Sequence, residues 1–120
     1  MVDDGRRQGG LFLRASRDIE YVKEHGRRQS TVWFNLLVCR IEGRETRIGI
    51  VVGRRFGTAV SRNRVKRRFR EIARSVSRDL VSGHSALVFP KREALTASYS
   101  LVKEAWCGLL RRQGVLRPER

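Results

Sequence analysis

The segment Gly53–Arg78 reads GRRFGTAVSRNRVKRRFREIARSVSR, and it combines a high positive charge with a helical repeat of apolar residues. It holds ten of the chain's 27 Lys and Arg residues and a single acidic residue, Glu71. Its apolar residues recur at i, i+4, i+7, i+8 and i+11, which places them on one side of a helix; they are Val65, Phe69, Ile72, Ala73 and Val76. The segment therefore predicts an amphipathic helix from near Ala59 to near Asp79, packed on a core through this stripe.

The side of this helix opposite Val65 is polar and mostly cationic. Its residues are Asn63, Arg67, Arg70 and Arg74. Arg62 and Arg68 flank the apolar stripe, at the edges where the helix would meet its core. Like charges at i, i+3 and i+4 destabilise an isolated helix, and guanidinium groups donate paired hydrogen bonds to phosphate. A solvated face usually mixes both signs of charge, so we predict that this one binds nucleic acid, with Glu71 as an ion-pairing residue that orders the arginines.

The composition favours one basic, soluble domain. The chain has 120 residues, a net charge of +15 and 40% hydrophobic residues, which suffices for a single core that attracts phosphate backbones. There is no signal peptide and no apolar run near the length of a membrane span, so we expect a cytoplasmic protein with no membrane partner, monomeric in its complex. Cys39 and Cys107 lie far apart in apolar runs, and we interpret them as small buried hydrophobes.

The chain is expected to consist of a flexible basic arm at 1–13, a single RNA-binding domain at 14–116 and a flexible C-terminus at 117–120. Periodicity and turn signals predict three helices and three strands in the order α-β-β-α-β-α, with the helices on one face of a small mixed sheet. The predicted elements are a helix at 16–25, a loop at 27–31, strands at 32–41 and 47–52 paired as a hairpin, the basic helix, a strand at 85–89 and a helix from 98 to 113. Ser16 and Ser98 are the predicted N-caps of the first and last helices.

Two sites in the predicted sheet carry further information. Both faces of the strand 32–41 are apolar, so we expect it to be central in the sheet or covered on both sides. Gly49 leaves space above the second strand, which predicts either a close packing point or part of a groove.

The order of these parts resembles the protein subunit of bacterial ribonuclease P. Arg62-Asn63-Arg64 matches that family's Arg-Asn-Arg signature, in a basic helix that follows a strand and a Gly-containing basic loop. The likeness covers residues 11–116, and it includes Arg47-Ile48-Gly49 in the second strand and the ending 109–114. The resemblance implies an α/β (α+β) two-layer sandwich with a left-handed crossover through the basic helix. It also implies a ribonucleoprotein that removes the 5′ leader of precursor tRNA, in which a catalytic RNA subunit uses Mg²⁺ and the protein holds no metal.

Two sets of residues are carried over from the resemblance by position. The set that would contact the RNA subunit, or lie beside it, is Arg54, Arg55, Arg62, Asn63, Arg64, Lys66, Arg67 and Arg70. The set that would hold the leader of precursor tRNA is Ile19, Lys23, Asn35 and Leu37. Many relatives have aromatic residues at several of these cleft positions, whereas Ile19, Lys23 and Leu37 cannot stack on bases. Lys23 would meet the leader's phosphates instead.

Three other functions were weighed against this one. Catalysis by the protein itself is disfavoured because His25 and His84 are isolated in sequence and no paired carboxylates or metal-ligand spacing accompany them. A DNA-binding regulator is disfavoured because no short helix precedes the basic helix in a helix-turn-helix arrangement. A structural RNA-binding protein of the ribosomal type is compatible with the charge, and only the signature and the order of elements argue against it.

Overall fold

The structure of the chain, a computed structural model, describes residues 10–119 and is a mixed α/β fold with three α-helices and one four-stranded sheet. The elements in chain order are α1 (Ser16–His25), β1 (Arg27–Ser30), β2 (Phe34–Arg40), β3 (Arg47–Ile50), α2 (Ala59–Ser75), β4 (His84–Pro90) and α3 (Tyr99–Arg112). The predicted fold class is confirmed, with one strand more than expected. Within residues 10–119, no helix combines the length and the apolarity needed to cross a membrane.

The strands lie in the order β1-β2-β4-β3, so the last strand in sequence is central in the sheet. β4 pairs antiparallel with β2 and parallel with β3. The predicted hairpin between β2 and β3 is wrong, because β4, buried from His84 to Val88, lies between them. The loop predicted at 27–31 is also wrong in part, because Arg27–Ser30 pairs antiparallel with β2 and forms an edge strand.

Both faces of the sheet are covered, as the apolar alternation of β2 predicts. Phe34 and Leu36 point into the main core, where Phe34, Phe69 of α2 and Trp106 of α3 meet edge to face with ring centroids 5.6 to 6.2 Å apart. The alternate side chains of β2 and β4 point into a smaller core beneath α1; its buried members are Leu13, Val22, Cys39 and Leu87. The expectation that all helices share one face is therefore wrong, since α1 packs opposite α2 and α3.

α2 connects the parallel neighbours β3 and β4, which makes it the crossover that the resemblance implies; the hand of the crossover stays a prediction. Gly49, which precedes this connection in β3, is a close packing point. A Cβ atom there would lie 2.6 Å from Cδ2 of Leu87 and 3.4 Å from Cβ of Leu13. The glycine thus lets the segment before α1 lie directly on the sheet.

The folded domain extends beyond the predicted boundaries at both ends. Phe12 and Leu13 were placed in the flexible arm, yet each is only 6% exposed, and Phe12 forms a parallel bridge with Ile48. At the other end, the amide of Arg117 donates to the carbonyl of Asp79 at 2.9 Å. Residues 1–9 of the predicted arm and residue 120 lie outside the described residues.

Candidate nucleic-acid interface

α2 has the two sides that its sequence predicts. The Thr58 side chain caps the helix by accepting a hydrogen bond from the amide of Ser61 at 3.1 Å. The predicted stripe is buried throughout the helix, with Val65, Phe69, Ile72 and Ala73 all at 0% exposure. Because this stripe fixes the rotation of the helix on the sheet, the polar residues on the other side must project into solvent.

The projecting residues form what we call the cationic face. Its members on α2 are Asn63, Arg64, Arg67 and Arg70, and those on the preceding loop are Arg54 and Arg55; all six are exposed. The loop is a 3-10 turn, and the side chain of Phe56 anchors it because it is buried. The backbone carbonyl of Phe56 also accepts a hydrogen bond from Nη1 of Arg92 at 2.9 Å. Anchoring the loop in this way holds Arg54 and Arg55 beside the first turn of α2.

Two arginines at the edges of α2 are bound to the protein itself. Nη1 of Arg62 donates to the carbonyl of Gly57 at 2.7 Å, and Nη1 of Arg68 donates to the carbonyls of Ala94 and Ala97. Arg62 and Lys66, both predicted to contact RNA, are half-buried and lie at the margin of the cationic face. Arg62 therefore ties the loop to the helix with part of its guanidinium group.

No acidic side chain of the described residues balances the charge of the cationic face. Within residues 10–119, the one ion pair closer than 4.0 Å is between Lys23 and Glu20, so none of the arginines has a carboxylate partner there. The predicted ion pairing of Glu71 is wrong for this part of the chain, because the exposed carboxylate approaches no guanidinium group within that distance. The face thus offers bidentate donors that have no acidic partner in the described part of the chain, and such donors match the oxygens of phosphate groups.

The residues predicted to hold a leader lie together on the other face of the sheet, along one side of α1. Ile19 and Leu37 pack at the edge of the smaller core, and Lys23 projects one turn beyond Ile19 with 42% of its side chain exposed. Oδ1 of Asn35 is buried and has no hydrogen-bond partner among the described residues. The structure therefore brings together the four residues that the resemblance selected.

Phe89 is a fifth residue of this surface that sequence reasoning missed. It is the cross-strand partner of Asn35 in the β2–β4 ladder, it is half-buried, and like Leu37 it packs against the smaller core. Its ring supplies an aromatic surface where Ile19, Lys23 and Leu37 offer none. The alternation of side chains along β4 places Phe89 on the same face of the sheet as Leu87. Only the pairing of Phe89 with Asn35 of β2 shows that this is the face beneath α1. We call these five residues, Ile19, Lys23, Asn35, Leu37 and Phe89, the Lys23 flank.

Comparison with known proteins agrees with this architecture. A model of the family described as Ribonuclease P matches residues 10–114 of the chain. The chain belongs to the ribonuclease P protein family. It is 35% identical over 106 residues to the ribonuclease P protein component of Chloroflexus aurantiacus, which covers 87% of this chain and 78% of that protein.

Solved structures of the ribonuclease P family share the fold. The ribonuclease P protein from Thermotoga maritima matches with a TM-score of 0.75 and 30% identity, covering 84% of this chain and 96% of that one. A mutant ribonuclease P protein from Staphylococcus aureus matches with a TM-score of 0.84 over 97% of this chain and 98% of its own, at 18% identity. The second likeness concerns the fold alone.

Proposed function

We propose that this chain is the protein subunit of ribonuclease P and that it assists removal of the 5′ leader from precursor tRNA. In this proposal the cationic face binds the catalytic RNA subunit, and the Lys23 flank holds the single-stranded leader. The observation that carries the proposal is the row of arginines on α2 that have no carboxylate partner within residues 10–119, at the Arg-Asn-Arg signature of a chain that belongs to this family.

The contribution of the cationic face is electrostatic. Each phosphate neutralised by Lys or Arg releases condensed counterions and adds about 0.7 to 0.9 to the slope of log K against log salt. Five exposed arginines belong to the cationic face. If each contacts one phosphate, they contribute a slope of roughly 3.5 to 4.5 in magnitude, which makes assembly strongly dependent on salt.

The contribution of the Lys23 flank is positioning. Lys23 neutralises a leader phosphate, while Phe89 offers an aromatic surface for a base and the amide of Asn35 offers polar contact. Holding the leader on the protein while the RNA subunit holds the tRNA body fixes the scissile bond between the two. Positioning of this kind converts an encounter of separate partners into a reaction within one complex.

The metal of the reaction is assigned to the RNA subunit and the substrate. Mg²⁺ takes oxygen ligands, most often carboxylates and phosphates. On α2 the one carboxylate is Glu71, which is exposed among arginines, so this face does not fit a protein-bound Mg²⁺ site. We therefore place no step of the reaction on a metal held by this chain, and we expect the complex to be cytoplasmic and the protein in it to be monomeric.

Reconstitution tests the proposed function. The protein is mixed with a bacterial ribonuclease P RNA and a precursor tRNA in Mg²⁺, and the 5′ end of the product is mapped. We expect cleavage at the mature 5′ end, faster with the protein than with the RNA alone when salt and Mg²⁺ are limiting. The protein without RNA is the control for nuclease contamination. Failure to bind the RNA subunit, together with binding to ribosomal subunits, would favour the structural RNA-binding protein instead.

A further inference from the structure

A second groove lies along the opposite side of α1 from the Lys23 flank. Viewed down the helix from Val22, which faces the sheet, Ile19 and Lys23 project to one side and Asp18 and Tyr21 to the other. Between the Tyr21 side and the end of the sheet is a cavity of about 460 Å³, within the size range of ligand pockets. Its lining includes Leu13, Arg17, Asp18, Tyr21, Arg47 and Ser85. We call it the Tyr21 groove.

The aromatic wall of this groove is held in place before any ligand arrives. Tyr21 is 46% exposed, and its ring stacks on His25 with centroids 4.3 Å apart and an interplanar angle of 27°. Nδ1 of His25 lies 3.0 Å from the Tyr21 carbonyl, so the imidazole donates there and is fixed in turn. His25 is one turn after Tyr21, whereas the lining residues Arg17 and Asp18 are one turn before it. Tyr21 thus lines the groove with a half-exposed ring that is stacked on a fixed imidazole.

The charged side chains of the groove carry both signs. Four arginines and three acidic residues line it: Arg17, Arg40, Arg44, Arg47, Asp18, Glu42 and Glu45. Among the described residues none of these seven forms an ion pair within 4.0 Å. Guanidinium groups bind phosphate, and carboxylates accept hydrogen bonds from the amino groups of bases. A ring open for stacking, free guanidinium donors and carboxylate acceptors together match a nucleotide with an unpaired base.

The groove lies farther from the cationic face than the Lys23 flank does. Ile50, the last residue of β3, pairs with Val88 of β4, and Val88 pairs on its other side with Leu36 of β2. The loop that leads from β3 to α2 therefore leaves the sheet near Asn35, which is next to Leu36. The groove lies near Arg40, five residues along the same strand, which is about 17 Å at 3.3 Å per residue. RNA that runs from α2 along the Lys23 flank would reach the Tyr21 groove only with its more distant nucleotides.

From this geometry we propose that the Tyr21 groove is a second binding site for single-stranded RNA, and that it takes the part of the leader farthest from the cleavage site. One base stacks on Tyr21 while Arg17 and Arg47 neutralise the adjoining phosphates. The source of the RNA rests on the proposed function, whereas the chemistry of the groove does not.

The chain offers a direct test because it contains only two tyrosines, Tyr21 and Tyr99. The whole protein is labelled with ring-¹³C tyrosine and titrated with a short single-stranded oligoribonucleotide. We expect the ring signals of Tyr21 to shift and those of Tyr99, which is half-buried on α3, to stay in place. Unmoved Tyr21 signals at saturating oligoribonucleotide would overturn the site. A duplex of the same sequence is the control, since a paired base cannot stack on the ring.

Leader length tests the source of the RNA in the holoenzyme. Precursor tRNAs with a short and a long leader are compared, and we expect the long leader to bind the wild-type holoenzyme more tightly. Tyr21→Ala should reduce the affinity for the long leader roughly 5- to 150-fold and leave that for the short leader unchanged, whereas Tyr21→Phe should keep both.

An equal effect of Tyr21→Ala on both precursors, or none on either, would overturn the assignment to the distant leader. A holoenzyme that removes no leader of either length would overturn the proposed function instead. The shift of the Tyr21 ring signals in the free protein would still decide whether the groove binds RNA.

Discussion

Replacing Arg64 and Arg67 by alanine removes two exposed guanidinium groups from the middle of the cationic face. Both side chains lack a carboxylate partner among the described residues, so their loss should change the free energy of unfolding by no more than about 0.5 kcal/mol. If each contacts one phosphate, the slope of log K against log salt falls by about 1.4 to 1.8. At 0.1 M salt this corresponds to roughly 25- to 60-fold weaker binding of the RNA subunit.

Arg68→Ala is the matched control, because it removes the same side chain from the same helix. It is half-buried, and its guanidinium group donates to the carbonyls of Ala94 and Ala97. Losing these charged hydrogen bonds should lower the free energy of unfolding by about 1 to 3 kcal/mol while leaving the salt slope intact. The two variants therefore separate binding from folding.

The assay is a fluorescence anisotropy titration of labelled RNA subunit at a series of salt concentrations, with thermal unfolding of each variant by circular dichroism. The double variant should lose slope and keep its melting temperature, and Arg68→Ala should do the reverse. An unchanged slope for the double variant refutes the assignment of this face to RNA. If the salt slope decreased by the same amount in both variants, the measurement would depend on folding and not on phosphate contact.

Three further predictions test other parts of the structure. Lys23→Ala should weaken binding of precursor tRNA several-fold more than binding of mature tRNA, measured with the holoenzyme; equal losses would remove Lys23 from the leader site. Gly49→Ala should destabilise by about 1 to 3 kcal/mol in denaturant unfolding, since its Cβ would overlap a buried leucine, whereas Gly108→Ala, on an open position of α3, should stabilise by about 0.5 to 1 kcal/mol. Burial raises the pKa of the Cys39 and Cys107 thiols, so both stay protonated at neutral pH and should react slowly with alkylating reagents until denaturant exposes them; fast labelling of the native protein would contradict this.

The parts of the molecule that local sequence pattern determines were predictable. The apolar stripe of α2 alone fixes which side of the helix is buried. The predicted Ser98 cap of α3 is confirmed, because its side chain accepts a hydrogen bond from the Leu101 amide at 3.2 Å, whereas the predicted Ser16 cap is wrong, because Ala15 is the N-cap of α1 and makes no side-chain bond. The apolar residues on both faces of β2 likewise predicted that both faces are covered. The cationic face follows from these local rules, because burying one side of α2 exposes the other.

The parts that depend on distant contacts were not predictable. β1 is polar and charged and has no apolar alternation. Its backbone pairs with β2, and Oε1 of Gln29 accepts a hydrogen bond of 3.0 Å from Nε2 of Gln113. The central place of β4 rests on pairings with strands far away in sequence, and Phe89 could be assigned to the Lys23 flank only after that pairing was known. The bridge of Phe12 to Ile48 is a long-range contact, and the charged, Gly-rich sequence before Phe12 gives no local sign of it.

The strand order has a consequence for how the protein is made. When the ribosome has synthesised the chain up to Gly83, three of the four strands exist, but only β1 and β2 have each other as neighbours. The edges of β2 and β3 that face β4 in the folded sheet remain unpaired until residues 84–90 emerge from the exit tunnel and insert between them. The nascent chain is therefore exposed to aggregation over this interval, and binding by a chaperone should be strongest on ribosomes stalled before residues 84–90 have emerged from the tunnel.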